Sequence, residues 1–168
     1  MPASHRKTLL WKGLLYIGPL LVLVTIAAVQ LAVSDRLPDP MAVHWGVDGV
    51  PDGFLPQAAS LLLLGGIWIG FWALIFHSVR DSRGSIAFPV GVLYFLGGLL
   101  LVVQVSIVAA GLDTSHWSEA DPFSWATLAV ELLVGLALGV LAGVLASRIP
   151  TEPLPEAYEA PAVAIPEA

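Results

Sequence analysis

Long apolar runs separated by short polar segments dominate the hydrophobic pattern of this chain. Four of these runs are long enough to cross a hydrocarbon core of about 30 Å, which requires about 20 helical residues. They extend over Leu9–Val33, Ser60–Val79, Ile86–Gly111 and Ser124–Ser147. We expect each run to be helical, because a lone strand in lipid would leave its backbone groups without hydrogen-bond partners. The pattern therefore predicts an all-α fold, a four-helix transmembrane bundle.

Composition agrees with a membrane protein and excludes several kinds of chemistry. Of the 168 residues, 57% are hydrophobic and 12% are charged, and the mean hydropathy is +0.85, whereas a soluble domain is about half apolar and about a quarter charged. The net charge of −6 argues against nucleic-acid binding. The absence of cysteine from the sequence excludes disulfides, thiolate catalysis and cysteine-based metal sites. No cofactor is predicted.

Basic residues are distributed unevenly between the two ends of the predicted helices. Six of the seven fall at one end: Arg6, Lys7, Lys12, Arg80, Arg83 and Arg148. Arg36 alone falls at the other end. Because basic loops stay in the cytoplasm, we expect a multi-pass protein of the plasma membrane with both termini cytoplasmic. The first run is longer than the ~7–15-residue core of a signal peptide, so we expect it to be retained as a span.

Two regions of the chain differ in composition. Residues 1–148 form the predicted four-span membrane domain, in which Asp121 and Pro122 are expected to cap and begin the fourth helix. Residues 149–168 are rich in proline and glutamate and have no helical period, which predicts a disordered cytoplasmic tail. A docking role for this tail stays an alternative to a plain solvated segment.

Two polar side chains fall well inside the predicted spans. Glu131 lies about seven residues into the fourth helix and Gln104 about seven residues before the end of the third, so antiparallel packing would bring them to the same depth. A carboxylate at the membrane centre costs about 2.5–3.5 kcal/mol on insertion scales, which favours a Glu131–Gln104 hydrogen bond. Glu131 is then either protonated and structural, or a proton- or ligand-sensing group. Gln30, near a helix end, is expected to be interfacial.

Small residues recur at every fourth position in the second half of the fourth helix. Gly135, Gly139 and Gly143 follow this spacing, and residues four apart form one slowly winding stripe on a helix. Small side chains at this spacing let another backbone approach closely. We expect the stripe to pack within the membrane, with Gly66 and Gly70 of the second helix as its candidate partner, and a homo-oligomer contact is the alternative.

The segment LPDPMAVHWGVDGVPDGF, Leu37–Phe54, is polar and rich in turn-forming residues between two apolar runs. Asp48–Gly49 and Asp52–Gly53 are turn signals, and prolines stiffen the flanks. Met41–Trp45 is expected to be a short extended piece that runs into the first turn. The sequence therefore predicts an ordered extracytoplasmic loop between the first and second helices.

His44, Asp48 and Asp52 in this loop, with His116 of the second polar loop, suggest metal ligands at first sight. The glycines and proline between them disfavour the helix that would gather them, hard cations need more oxygen ligands, and zinc usually binds more than one histidine or cysteine. We therefore predict no metal site and expect His44 to order the loop through hydrogen bonds. No nucleophile–base pair indicates catalysis, so no catalytic residue is predicted and the protein is expected not to be an enzyme.

The order of residues in this loop resembles a family signature. The form of the signature is given by Leu37, Pro38, Pro40, His44, Trp45, Gly49 and Asp52, in this order along the chain. The form is similar to that of a bacterial membrane family of unknown function, whose module also opens the SdpI-type immunity and signalling proteins. The resemblance covers about residues 10–60, and Ala42 departs from it where members often have a second proline. It implies an integral membrane protein of the cell envelope.

Two functions follow as hypotheses. The first is a non-enzymatic sensing, signalling or immunity-like role, in which the His44 loop binds an extracytoplasmic ligand or peptide. Immunity itself is not carried over from the resemblance, because the longer immunity proteins have further helices. The second is a small transporter or channel component with Glu131 in a polar pathway, although the spans supply one carboxylate and few hydroxyls or amides. The lipid bilayer is the predicted partner in both.

Overall fold

Four long helices make up most of the structure. The computed structural model describes residues 10–80 and 84–149. Its long helices are α1 (Leu10–Leu31), α2 (Gln57–Val79), α3 (Ala87–Gly111) and α4 (Trp125–Ser147). All four are long and apolar enough to cross a membrane, which confirms the predicted spans and indicates a multi-pass membrane protein. Short 3₁₀ turns, Ser34–Arg36 and Trp117–Glu119, lie in the segments that follow α1 and α3.

A β-hairpin between α1 and α2 adds two strands to the all-α fold expected from the sequence. Strand β1 (Met41–Trp45), the predicted extended piece, pairs antiparallel with β2 (Pro51–Leu55). In the connecting turn Gly49 has a φ of 78°, a left-handed conformation that glycine adopts at little cost. Asp48 Oδ1 accepts a hydrogen bond from the Val50 N–H at 3.1 Å. The Asp48–Gly49 signal therefore marks the hairpin turn.

An irregular π-helical turn, Gly13–Ile17, lies near the start of α1, just before Pro19. The N–H of Gly18 donates to the first carbonyl of that turn, and a proline has no N–H to donate. The carbonyls of Leu14 and Leu15 therefore lack their usual donors within the helix. In lipid such a loss must be compensated by groups from neighbouring helices.

Side chains from α2 and α3 supply the missing donors. Tyr94 Oη donates to the Leu14 carbonyl at 3.1 Å, and Trp72 Nε1 donates to the Leu15 carbonyl at 2.8 Å. Gly18 makes room for this contact, because a Cβ atom there would overlap the Tyr94 hydroxyl. The irregular turn of α1 is thus fixed to both neighbouring helices.

The glycine stripe of α4 packs directly against α3. A Cβ atom added at Gly139 would lie 2.8 Å from the carbonyl oxygen of Gly91, and one at Gly135 would lie 2.9 Å from that of Phe95. Gly143 faces the same helix. Small residues here let two backbones approach closely, as in other membrane helix pairs. The stripe therefore packs against α3 within the chain, and the homo-oligomer contact stays an alternative prediction.

Two predictions about packing and capping were wrong. Cβ atoms added at Gly66 and Gly70 would meet nothing within 4 Å, so these glycines are not the partners of the α4 stripe. Ser124, and not Asp121, caps α4: its Oγ accepts a hydrogen bond from the Thr127 N–H at 3.1 Å. The Asp121 N–H donates instead to a carbonyl near the end of α3, at 2.8 Å, because the second loop folds back onto that helix.

The buried interior of the described residues has an apolar half and a polar half. The apolar half surrounds Leu15, Trp68, Val90 and Leu93. The buried polar side chains are Gln30, Ser60, Gln104 and Glu131. All four lie toward the hairpin end, which we define as the end where α1 and α3 finish and α2 and α4 begin. Polar groups inside this bundle are therefore concentrated next to the hairpin.

Some predictions fall on parts of the chain that the structure does not describe. The predicted tail, residues 149–168, lies outside the described residues except for Ile149. Arg6, Lys7 and Arg83, used above to orient the chain, also lie outside them. The disorder of the tail and the orientation of the termini therefore stay predictions.

Candidate functional site

Gln57, the first residue of α2, fastens the loop before the hairpin to the helix bundle. Its backbone N–H donates to Asp39 Oδ1 at 3.0 Å, so Asp39 satisfies one of the N–H groups that a helix start leaves free. Its side-chain Nε2 donates to the carbonyls of Ser34 and Leu37 at 3.1 and 3.0 Å. Gln57 was not identified from the sequence. The one signal that could have found it is its position directly after Pro56, at the start of a helix.

Gln30 lies at the centre of a buried hydrogen-bond network that links three helices. Its Nε2 donates to the Gln57 carbonyl at 2.9 Å. Its Oε1 accepts hydrogen bonds from Ser60 Oγ at 3.1 Å and from Gln104 Nε2 at 2.9 Å. Only 1% of Gln30 is exposed, so the expectation that it would be interfacial was wrong. The network therefore connects Gln57, which fastens the loop, with α1, α2 and α3.

An ion pair joins the first polar loop to the second. Arg36 donates from Nε to Asp113 Oδ1 at 2.9 Å and from Nη2 to Oδ2 at 2.5 Å, the bidentate geometry that suits guanidinium and carboxylate. The Asp113 N–H also donates to the Arg36 carbonyl at 2.9 Å. The side-chain hydrogen bonds are the main reason why the pKa of Asp113 is lowered and that of Arg36 is raised. The two loops are therefore held together by charge and by backbone.

The hairpin turn also contacts the segment that leads into α4. Trp45 Nε1 donates to the Asp121 carbonyl at 3.0 Å, and the ring centroids of Trp45 and Phe123 are 6.1 Å apart. The Phe123 N–H donates to the Gly49 carbonyl at 2.9 Å. A Cβ atom at Gly49 would lie 2.4 Å from the Phe123 carbonyl oxygen, so the contact requires glycine. These bonds fix the hairpin over the start of α4.

His44 is hydrogen-bonded across the hairpin to Asp52. His44 Nδ1 lies 2.5 Å from Asp52 Oδ1, with 71% of the His44 side chain and 53% of that of Asp52 exposed. Gly53 lies opposite His44, and a Cβ atom there would come within 2.9 Å of His44 Cβ. His116 instead pairs with Ser118 in the second loop. His44 thus orders the hairpin through a hydrogen bond, and in residues 10–80 and 84–149 no three His, Asp or Glu side chains are grouped as a metal site requires.

A cavity of about 250 Å³ lies between the hairpin, α3 and the start of α4. Its lining residues come from β1, α3, the second loop and α4: Val43, His44, Trp45, Val103, Ser106, Ile107, Phe123, Leu128 and Glu131. Two features that the sequence singles out separately, the His44 loop and the Glu131 carboxyl, therefore meet at one site. We call this site the Glu131 cavity.

Glu131, which lines this cavity, has a carboxyl oxygen without a hydrogen-bond partner. The residue is 1% exposed, and its Oε1 has no hydrogen-bond partner. The expected Glu131–Gln104 hydrogen bond is not formed: Gln104 Nε2 donates to Gln30, and Gln104 Oε1, like Glu131 Oε1, has no hydrogen-bond partner. Buried polar atoms are nearly always hydrogen-bonded, and an exception calls for an explanation. Intramembrane carboxyls are moreover typical of functional sites.

The residues of the predicted signature have different places in this arrangement. Leu37 is buried in the cluster with Met41, Ile107 and Val108, and its carbonyl, like that of Pro38, accepts from Gln57. The remaining ones lie in or beside the hairpin: Pro40, His44, Trp45, Gly49 and Asp52. His44 and Trp45 line the Glu131 cavity. Most signature residues therefore belong to the hairpin, and Leu37 and Pro38 lie in the loop that Gln57 binds.

Comparison with known proteins gives a partial match. A family model described as "Domain of unknown function (DUF1648)" matches residues 20–69, which include most of α1, the hairpin and the first part of α2. The match contains every residue of the predicted signature and supports a membrane family of unknown function for this segment. No curated protein and no solved structure matches the chain.

Proposed function

We propose that this is a non-enzymatic sensor of the plasma membrane, with both termini in the cytoplasm and the hairpin facing outward. Charge supports this orientation. Lys12, Arg80 and Arg148 lie at the end opposite the hairpin, whereas Arg36 is the basic residue of the loops at the hairpin end. Basic residues are enriched on the cytoplasmic side of membrane proteins. The hairpin and the second loop would then meet the extracytoplasmic medium together.

The observation that carries the sensing proposal is the cavity under the hairpin. Glu131, whose Oε1 is buried and unpartnered, lines it together with His44 and Trp45 of the hairpin. A largely apolar cavity with a few convergent polar groups is the usual form of a small-molecule site. The SdpI-type resemblance suggests signalling as the kind of output.

A physical connection from the hairpin into the bundle supports signalling. Gln57 holds the loop that leads into β1, Gln30 binds the Gln57 carbonyl, and Gln104 of α3 binds Gln30. A displacement of the hairpin would therefore change hydrogen bonds on α1, α2 and α3 together. Coupling between the hairpin and the helices needs a contiguous set of contacts that can adopt two arrangements. The buried amide side chains supply such a set of contacts.

A transporter function, the alternative hypothesis, receives less support. The buried polar residues of the described chain are confined to the hairpin half, and the other half is an apolar cluster around Leu15, Trp68 and Leu93. A polar pathway through one chain would have to cross that cluster. Proton or ion flux into liposomes that contain the purified protein, lost in Glu131→Gln, would support transport; no flux with the parent protein would dispose of it.

A complementation experiment tests the sensing proposal. We expect deletion of the gene in its native host to change a set of transcripts, and the intact gene to restore them. His44→Ala should fail to restore them at equal abundance in the membrane, since it removes the hydrogen bond to Asp52. His77→Ala is the matched control, because His77 lies in the last turn of α2 at the other end.

Three outcomes would contradict the sensing proposal. The first is a deletion that leaves the transcripts unchanged. The second is full restoration of the transcripts by His44→Ala. The third is a loss that follows only from lower abundance of the variant, measured by quantitative immunoblot of membranes.

A further inference from the structure

We propose that the Glu131 cavity binds a small organic ammonium ion, an amine carried on an apolar body, with the ammonium group on the Glu131 carboxyl. The inference deepens the proposed function and rests on it for its biological meaning, because it names the chemical class that the hairpin would sense. The site itself stands on three observations: an unpartnered carboxyl oxygen, apolar walls and acidic loops at the same end of the bundle.

The carboxyl oxygen of Glu131 requires a donor that the described protein does not provide. Glu131 is 1% exposed and its Oε1 accepts no hydrogen bond. Of the polar groups that line the cavity, His44 Nδ1 pairs with Asp52 and Trp45 Nε1 donates to the Asp121 carbonyl. Ser106 also lines the cavity, but its hydroxyl does not donate to Glu131 Oε1. A ligand N–H would fill this place, and a hydrogen bond from an ionised donor is about twice as strong as one between neutral groups.

The walls of the cavity favour an apolar body behind that donor. Val43, Val103, Ile107 and Leu128 supply aliphatic surface, and the rings of Trp45 and Phe123 lie beside it. Aromatic faces also attract organic cations through their quadrupole. The volume of about 250 Å³ is slightly smaller than the ~300–1,000 Å³ typical of drug-sized ligands. The ligand is therefore small and has one polar end.

The charge of the surrounding loops selects a cation over an anion. The two loops at the hairpin end contain seven acidic residues: Asp35, Asp39, Asp48, Asp52, Asp113, Glu119 and Asp121. Their one arginine, Arg36, is already paired with Asp113. A field of one sign over a cavity raises the local concentration of ligands of the opposite sign. Carboxylates and phosphates would be repelled, and amines, protonated at neutral pH like lysine, would be attracted.

A metal cation fits this cavity less well than an organic one. Calcium takes six to eight oxygen ligands and magnesium needs a near-octahedral set, whereas Glu131 is the one carboxylate among the lining residues. No group of three His, Asp or Glu side chains that could hold a metal occurs in the described residues. The apolar surface opposite Glu131 would also leave such an ion poorly coordinated.

Binding of three matched probes to the full-length protein tests the inference. The protein is placed in phosphatidylcholine nanodiscs, with empty nanodiscs as the blank, and binding is followed by saturation-transfer NMR and calorimetry. The probes are phenethylamine, 2-phenylethanol and phenylacetate, which share an apolar body and differ in charge. We expect saturable binding of phenethylamine and affinities lower by about tenfold or more for the other two, because the charge-assisted hydrogen bond is lost.

Three variants identify the residue responsible. Glu131→Gln should weaken phenethylamine binding by about tenfold or more. Glu119→Gln is the same chemical change on an exposed acid that adds to the charge of the loops but lies outside the cavity. It should lower the affinity by at most about twofold, because one screened surface charge contributes little. Ser106→Leu keeps the carboxyl and fills the cavity, so it should also abolish binding, and it keeps the test informative if Glu131→Gln does not fold.

The inference is overturned if Glu131→Gln and Ser106→Leu bind phenethylamine like the parent, if the three probes bind equally, or if none of them saturates. Its failure is distinguishable from that of the proposed function. If no amine binds but the transcript response still requires His44, the proposed ligand class is wrong and the sensing proposal stands. If amine binding depends on Glu131 but cells show no response, the binding site is supported and the sensing proposal is wrong.

Discussion

At the scale of single residues, Pro19 shows how one residue in a membrane helix determines its neighbours. Pro19 removes the N–H that would bind the Leu15 carbonyl, and Trp72 Nε1 supplies the donor at 2.8 Å. A carbonyl left without a partner in lipid costs several kcal/mol by transfer scales. The indole is therefore part of the hydrogen bonding of α1, although it belongs to α2.

A double-mutant cycle tests this exchange of donors. Trp72→Phe should destabilise the protein by about 1–3 kcal/mol, because it leaves the Leu15 carbonyl unpaired. In a Pro19→Ala background the restored backbone N–H can bind that carbonyl, so the same substitution should cost clearly less. Unfolding in mixed micelles measures both values. Equal losses in the two backgrounds would contradict the account, since the coupling of the two sites would then be zero.

Gly49 is the second residue at which a side chain is excluded. Its φ is 78°, and an added Cβ atom would lie 2.4 Å from the Phe123 carbonyl oxygen. We therefore predict that Gly49→Ala detaches the turn from α4, at a cost of about 1–3 kcal/mol. Gly66→Ala is the control, because nothing lies within 4 Å of its Cβ position, and alanine in a helix is favoured by about 0.5–1 kcal/mol. Hydrogen exchange of the hairpin amides should accelerate in the first variant alone.

At the scale of elements, the hairpin is attached to the bundle by three separate sets of bonds. Gln57 holds the loop before β1, the Arg36–Asp113 pair joins the two polar loops, and Trp45 binds the segment before α4. A two-stranded hairpin is at best marginally stable by itself in water. Its order in this protein therefore depends on these attachments more than on the strands.

Acidification should weaken the attachment that the Arg36–Asp113 ion pair provides. The pKa of Asp113 is lowered by its hydrogen bonds with Arg36, so the pair stabilises the docked hairpin above the ordinary aspartate pKa of about 3.9. This contribution is lost as pH falls from about 4 through the lowered pKa, while Arg36 stays charged. The protection factors of the amides in the two loops, which correct exchange for its intrinsic pH dependence, should therefore decrease below about pH 4.

Removing either partner should make the loops insensitive to this titration. Asp113→Asn should raise their exchange at neutral pH and reduce the change in acid, leaving the part that is due to Glu119, whose pKa is lowered by hydrogen bonds from Ser115. Arg36→Gln should do the same, and the double variant should add nothing further, because one interaction is lost in all three. An acid response of unchanged size in Asp113→Asn would show that another group is responsible.

The elements could be predicted from the sequence to different degrees. The apolar runs were sufficient for the four helices, and the Asp48–Gly49 signal was sufficient for the strand Met41–Trp45 and its turn, because both depend on local patterns. The contacts between elements could not be predicted in this way. Gln104 binds Gln30, 74 residues away, and every helix of a membrane bundle is apolar on all sides, so its periodicity does not indicate which face meets which neighbour.

At the scale of the whole molecule, the bundle is asymmetric in both polarity and charge. The hairpin end combines the buried amides, the Glu131 cavity and acidic loops, whereas Lys12, Arg80 and Arg148 lie at the opposite end. Such an asymmetry would let one end of the protein receive a ligand while the other anchors the chain in the membrane. The sensing proposal depends on the hairpin facing outward.

Cysteine labelling tests that orientation directly, because the sequence contains no cysteine of its own. Val47 lies in the hairpin turn and is 94% exposed, and Ser85 lies exposed before α3 at the opposite end. In intact cells a membrane-impermeant maleimide should label Val47→Cys and should reach Ser85→Cys only after the membrane is permeabilised. Labelling of Ser85→Cys in intact cells, with Val47→Cys protected until permeabilisation, would place the hairpin in the cytoplasm and contradict the account.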